Sequence, residues 1–379
     1  MSVINKKNAG EWAEFYTLLK ILSEGKLYSA DGEQNINKSE SLPVISIAME
    51  TTTLDGFTKK PVNYLVDAQN QSITFDLSGT TTEISMSRFK SEASSFFSII
   101  SSRTGPSFAV PEINDFLSQL GNPVTKQSSD KKADIHIVIH DTITGFNNEV
   151  GFSIKSKHSK PATLINASGQ TLFQYKLANI NTSNRSNVID ALDPKKTGGP
   201  KSRIQAMLNT GAQLDFSSVK KDNFRENLQI IDSSLDVILA DCLQVFMSGS
   251  KSKLREIVEI VSSRNPCNYK ARDSSRLFDF YAYKIKRLIV DAALGMQPRD
   301  TWTGQYDASG GYLIVKEDGD IACYHLFNWN SLQDYLFNNL RFETPQSTGK
   351  GSKSSFNYAL HYTCESTDYI DICLQIRFI

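Results

Sequence analysis

"KKADIHIVIHDTITGFNNEVGFSIKSK" runs from Lys131 to Lys157 and reads as two strands joined by a turn. Side chains alternate across a strand. Ile135, Ile137 and Ile139 therefore share one face of the first strand, and Asp134, His136, Val138 and His140 share the other. On the second strand Phe152 and Ile154 fall on one face; Ser153, Lys155 and Lys157 fall on the opposite one. If the strands pair through "DTITGFNN", the apolar faces pack against a helix and Asp134 comes next to Ser153 and Lys155. A carboxylate, a hydroxyl and a lysine then meet on one face of a hairpin that otherwise belongs to a core.

Upstream, "NAGEWAEFYTLLKILSEGKLYSADG" carries Trp12, Phe15, Leu18, Leu19 and Leu22 at helical spacing, with Gly25 as its stop. Residues 43–85 alternate in short runs and predict a small antiparallel meander, followed by helices over "SRFKSEASSFFSIISS" and "VPEINDFLSQLG". Residues 181–222 are polar and basic, a loop or linker by composition. Beyond them lie three helical patterns, a hairpin over "GGYLIVKEDGDIACYHLF", a short helix at "SLQDYLFNNL" and two closing strands. The division expected is 1–180 as a core, 181–222 as the connection and 223–379 as a second, helical and hairpin region.

The 379 residues carry 41 basic and 41 acidic side chains, a net charge of zero that leaves nucleic acid open as a partner. Five cysteines without CxxC spacing argue against a common zinc site or a disulfide framework. No stretch approaches the roughly 18 apolar residues of a membrane span, and "MSVINKKNAGEW" lacks the apolar run of a secretion signal. A soluble, cytoplasmic protein is expected.

An acid opening one strand and an x-Lys dipeptide on its neighbour resemble the layout of PD-(D/E)xK nucleases. Their chemistry explains the residue types. A phosphodiester is anionic, so water attacks it only when charge is neutralised and the water is activated. Carboxylate oxygens suit Mg²⁺, a hard cation. A lysine beside the metal orients the water or steadies developing charge. Here Ser153 stands where that layout has a second acid.

"GFSIKSKHSKPATLINASGQTLFQYKL", Gly151 to Leu177, resembles the signature of the HpaII family of type II restriction endonucleases, in which G-F-S-I-K-S precedes T-L-[LI]-N-A-S-G and an aromatic. "NKKNAGEWAEFYTLLKILSEGKLY" is similar to the family's opening helix; "GGYLIVKEDGDIACYHL", "NNLRFETPQS" and "LQIRF" are similar to its tail. The resemblance spans nearly the whole chain in the same order. It implies an α/β restriction-endonuclease fold, a mixed central sheet with the Asp134 and Lys155 strands at its centre, flanked by helices. Helices and hairpins in the C-terminal half would embrace and read DNA. It further implies Mg²⁺-dependent cleavage of double-stranded DNA at a short palindrome, CCGG in the namesake, leaving 5′-phosphate and 3′-hydroxyl ends. The genetic partner would be a cognate DNA methyltransferase, and the enzyme would act as a homodimer or as a monomer visiting each strand.

On that resemblance Asp134 is the metal ligand and Lys155 the water-positioning lysine. Ser153 takes the second-ligand position through its hydroxyl, a neighbouring carbonyl or a bridging water. Glu14 is the helix-borne acid, with Glu11 one turn earlier as the alternative; Glu149 reads as a turn residue. Lys131 and Lys132, with Lys126, precede the first strand and are expected to grip phosphates, as is Lys157. Asn166, Ser168 and Gln170 follow the second strand and either contact DNA or hold the local architecture. Lys195, Lys196, Lys201 and Arg203 form a second basic cluster expected to meet the duplex. Two other readings share these residues: a structure-specific repair nuclease of the same fold, and a DNA-binding module whose site has decayed at Ser153.

Overall fold

The computed structural model describes residues 6–52, 59–103, 105, 107–123, 133–142, 144–158, 161–345 and 358–379. Helix α1 (Ala9–Glu24) begins in a capping box: Asn8 Oδ1 accepts the Glu11 N–H and the Glu11 carboxylate accepts the Asn8 N–H. Trp12, Phe15, Leu18, Leu19 and Leu22 are all buried, and Gly25 ends the helix at φ 64°, a left-handed conformation natural to glycine.

Strands β1 (Lys26–Ala30), β2 (Ile36–Thr52), β3 (Lys59–Asp67), β4 (Ser72–Leu77) and β5 (Thr80–Ser85) follow, then α2 (Met86–Ser102) and α3 (Asn114–Gln119). The expected hairpin is β6 (Ile135–His140) and β7 (Asn147–Ser156). Next come β8 (Thr163–Ile165), β9 (Leu172–Ala178), α4 (Arg185–Leu192), α5 (Pro194–Thr197), α6 (Pro200–Asn209) and β10 (Gln213–Val219). Helices α7 (Asp222–Ile231), α8 (Leu235–Ser248), α9 (Leu254–Arg264) and α10 (Leu277–Leu294) precede β11 (Gly311–Val315) and β12 (Ile321–His325). Helix α11 (Trp329–Asn338), β13 (Leu340–Phe342), β14 (Tyr362–Cys364), β15 (Thr367–Cys373) and β16 (Ile376–Phe378) complete the chain.

The chain forms two compact units, Met1–Ala162 with Tyr306–Tyr335, and Thr163–Gln305 with Leu336–Ile379. The first holds a nine-stranded mixed sheet in the order β1-β12-β11-β7-β6-β2-β3-β4-β5, with β6 and β7 at its centre and the expected meander as one end. β1 also pairs with β2, so β1, β12, β11, β7, β6 and β2 close into a six-strand ring. Irregular register between Tyr28 and Ala30 on β1, and between Val44 and Ser46 on β2, accompanies the ring. Such bulges bend a strand and raise its twist, which lets the 17-residue β2 serve three partners, β1, β6 and β3, along its length. Helices α1 and α2 bury Trp12, Phe15 and Phe96 against one another edge to face, in a core continuous with Ile135, Ile137, Ile139, Phe152 and Ile154 of the hairpin.

Three expectations are corrected. Residues 181–222 are not a loop: they hold α4, α5, α6 and β10. Asp193 caps α5 with Pro194 as its first residue, Pro200 opens α6, and Val188, Leu192, Ile204 and Met207 bury their inner faces. The first of the three later helical patterns is two helices, α7 and α8, broken at Asp232–Ser234, where Asp232 accepts the Ser234 N–H. The "GGYLIV" hairpin belongs to the first unit, where β11 lies parallel to β7. The second unit contains a four-stranded sheet, β10-β9-β15-β14, and a three-stranded one, β13-β16-β8, with α4 to α10. Among the described residues no helix is long and apolar enough to cross a membrane.

Candidate active site

β7 lies between β6, antiparallel, and β11, parallel, and Gly151 to Ile154 are buried on both faces. The register pairs Ile135 with Phe152 and His136 with Gly151, and the Asp134 N–H donates to the Phe152 carbonyl at 2.8 Å. Asp134 thus stands opposite Ser153, as strand alternation predicts. Gly151 makes this close approach possible. A Cβ there would meet Ala133 Cβ at 2.7 Å and the Asp307 carbonyl oxygen at 2.9 Å, neither of them the free end of a flexible chain. Gly151→Ala is therefore expected to destabilise the protein by about 1–3 kcal/mol and to slow catalysis by displacing β7. Thermal melting checks it, and an unchanged melting temperature would count against the packing argument.

The side chains of the pair form one hydrogen-bonded cluster. Asp134 Oδ2 accepts from the Ile154 N–H at 2.6 Å and from Ser153 Oγ at 3.1 Å. Lys155 Nζ donates to Ser153 Oγ at 2.7 Å and to the Ile154 carbonyl at 3.0 Å, and lies 3.7 Å from Asp134 Oδ2. Among the described residues both bonds to Asp134 fall on Oδ2, which leaves Oδ1 for another partner. Tyr312 on β11 is in register with Ser153, and its ring lies 5.4 Å from Lys155 Nζ. The lysine is held on three sides before any substrate arrives.

Glu14, on α1, lies near enough to feel the charges of Asp134 and Lys155. Its Oε2 is buried without a hydrogen-bond partner among the described residues. Burial first, then the negative charge of Asp134, raise its carboxyl pKa to about 9, and the nearby Lys155 offsets only part of this. A buried carboxyl that keeps its proton beside the Asp134 carboxylate is an arrangement in which a cation would favour ionisation. Glu11, the alternative acid, is committed to capping α1. Glu149 is paired with Val138 and exposed, 3.9 Å from His136 Nδ1. Among the described residues no group of three or more His, Cys, Asp or Glu is placed to hold a metal. Neutral oxygens must complete any coordination by Asp134 and Glu14, and the Ser153 hydroxyl and Ile154 carbonyl lie in the same cluster.

The remaining candidates are scattered. Lys126, Lys131 and Lys132 lie outside the described residues. Lys157 is exposed just past β7, its N–H bonded to the Val315 carbonyl at 3.1 Å. In the second unit, Ser168 Oγ accepts the Gln170 N–H, a turn-holding role, while Asn166 is exposed beside it. Lys195 is exposed and Lys196 pairs with Asp190 at 2.6 Å. Lys201 is half-buried, with its ammonium 4.5 Å from the Phe246 ring. Arg203 corrects the expectation of a phosphate grip. It is 5% exposed, and its guanidinium donates to the carbonyls of Gly198, Tyr358 and Ala359, so its donors are spent inside the protein.

Reading the hairpin alone leaves out Tyr312. Its strand is a sequence-distant parallel neighbour, and parallel partners leave no local trace in a sequence. The available signal was the Gly310-Gly311 pair before it. A Cβ on Gly310 would strike the Phe152 ring at 2.8 Å, and Gly311 has φ 106° with the Tyr324 carbonyl oxygen 2.0 Å from a would-be Cβ.

A family profile described as HpaII restriction endonuclease matches residues 8–378. The type II restriction enzyme HpaII of Haemophilus parainfluenzae is 36% identical over 373 residues, which cover 98% of this chain and 98% of that protein. No solved structure matches.

Proposed function

Because the chain belongs to the HpaII restriction endonuclease family, we propose that this site-specific deoxyribonuclease cuts a short palindrome in double-stranded DNA with Mg²⁺, using the Asp134–Ser153–Lys155–Glu14 cluster. The observation that carries the residue assignment is the buried, unpartnered Glu14 Oε2 beside Asp134 and Lys155. It supplies the second carboxylate that Ser153 does not. On this reading the fold is of the PD-(D/E)xK type, with the acid displaced from strand to helix.

Asp134 and Glu14, with the Ser153 hydroxyl or the Ile154 carbonyl, would hold a divalent cation, which when bound would supply positive charge at the scissile phosphate and acidity to a nearby water. The chain's own residues do the rest. Lys155 Nζ, fixed by Ser153 Oγ and the Ile154 carbonyl, orients the attacking water and offsets charge building on the phosphate. Ser153 Oγ couples Lys155 to Asp134, holding both side chains in one geometry. Attack in line with the leaving 3′ oxygen yields a 5′-phosphate and a 3′-hydroxyl. A CCGG site, a protective methyltransferase, action as a homodimer or as a monomer visiting each strand, and a cytoplasmic location accompany this reading by family analogy.

Digestion of unmethylated plasmid with Mg²⁺ tests it. Discrete fragments are expected, lost on chelation, with end-sequencing giving the site. Intact plasmid with retained duplex binding would favour the decayed binding module, and nicking at irregular structures would favour the repair nuclease.

A further inference from the structure

The Lys155 side chain does not run straight out from its strand. The residue opposite Lys155 on β11 is Ile314, yet its ammonium sits over the ring of Tyr312, 5.4 Å from the centroid and two residues back. Two residues are roughly 6.6–6.8 Å of strand, so the lysine stem folds back over Ser153. There Nζ donates to Ser153 Oγ and to the Ile154 carbonyl, which among the described residues uses two of its three protons. Asp134 Oδ2 stands 3.7 Å from Nζ, beyond the roughly 2.7–2.9 Å of a charged hydrogen bond. Ammonium and carboxylate are neighbours that have not closed on one another.

Tyr312 is fixed from behind. It is 2% exposed, and its cross-strand partner on β12 is Tyr324, whose ring stacks on Tyr335 at 4.3 Å and whose hydroxyl donates to the Asp31 carbonyl at 2.7 Å. Burial, and then the charge of Asp134, keep the Tyr312 phenol protonated. The ring therefore meets the ammonium as a neutral π face, negative at its centre. We infer that Tyr312 is a positioning residue: its ring face draws Lys155 Nζ back over Ser153, stops it from closing on Asp134, and leaves the third N–H for the attacking water. A direct Lys155–Asp134 pair would tie up both groups at once. The inference rests on the endonuclease reading above and adds to it the residue that keeps the lysine and the carboxylate apart.

The experiment places phenylalanine, and then singly, doubly and triply ring-fluorinated phenylalanine, at position 312 of the full-length protein. Fluorine drains the negative ring face and hardly changes its size, so packing is held while the pull on a cation is graded. Tyr312→Phe is expected to keep most of the single-turnover cleavage rate. From there the rate should fall with each fluorine, by about tenfold at the triply fluorinated ring, near the full worth of a partly desolvated cation–π contact. Duplex binding in Ca²⁺ and the melting temperature should stay flat across the series. In the Lys155→Met background the residual rate should be flat as well, because no cation is left to feel the ring. Four results would overturn the inference: a rate indifferent to fluorine, an equal fall in the Lys155→Met background, a fall matched by lost binding or a lower melting temperature, or a Tyr312→Phe variant as slow as Lys155→Met, which would move the role to the hydroxyl. Wild type that yields no discrete fragments would show instead that the endonuclease reading has failed, and the inference with it.

Discussion

Lys155→Ala is expected to lower the rate of DNA cleavage by about a hundredfold to a thousandfold, the usual range for loss of one preorganised charge-stabilising donor, while leaving duplex binding in Ca²⁺ nearly intact. The lysine has little freedom. Ser153 Oγ and the Ile154 carbonyl hold Nζ at 2.7 and 3.0 Å, and the Tyr312 ring lies beneath it. A charge so fixed is already placed for the transition state and needs no reorganisation when the phosphate is attacked. Arginine should not rescue it, because a planar fork cannot reproduce a compact ammonium bonded to a hydroxyl and a carbonyl. Methionine would keep the stem's packing and remove the charge, so Lys155→Met separates packing from electrostatics: it should melt like wild type and cut like Lys155→Ala. Single-turnover cleavage beside a binding isotherm gives both quantities, and retention of cleavage within tenfold of wild type would remove Lys155 from the mechanism.

Much of this site was readable along the chain because its geometry is local. Strand alternation places Asp134 against Ser153 whenever Ile135 to Ile139 and Phe152 to Ile154 face a core, and the observed register is the one that alternation requires. Helical spacing and the Gly25 stop defined α1 in the same way, and with it the position of Glu14. What escaped depends on distant pairing or on burial. The β11 strand reads as an ordinary hairpin arm until it is seen beside β7, and Tyr312 is hidden with it. Residues 181–222 looked like a linker because their helices are short and bury only about one side chain per turn. Asp193-Pro194 and Gly199-Pro200, which resemble loop breakers, in fact open helices. Arg203 misled for a related reason: charge is visible in a sequence, but a guanidinium already bonded to three carbonyls is not.

Glu14→Gln is expected to move stability and activity in opposite directions. In the folded protein the Glu14 carboxyl titrates at about 9 against an ordinary value of 4.5, raised chiefly by burial and then by Asp134. Between those pH values the folded state keeps a proton that the unfolded chain has released. The group's contribution to stability is therefore full below about pH 4.5 and is lost as pH rises toward 9, at up to about 1.4 kcal/mol per unit. Glutamine is nearly isosteric and never ionises, so the variant should lack this slope. At pH 8 and without divalent ions it should be more stable than wild type by on the order of 2–4 kcal/mol, less than full linkage gives because water relaxes around an ionised carboxylate. Mg²⁺ or Ca²⁺ should stabilise wild type at pH 8 by compensating the Glu14 and Asp134 charges, and should do much less for Glu14→Gln. Cleavage by the variant should meanwhile fall by about a hundredfold or more, since one of two carboxylates for the cation is gone. Melting temperatures across pH 5 to 9, with and without the ion, decide the matter. Parallel pH profiles for the two proteins, or equal stabilisation by the ion, would mean that Glu14 is an ordinary buried acid and that the second ligand lies elsewhere.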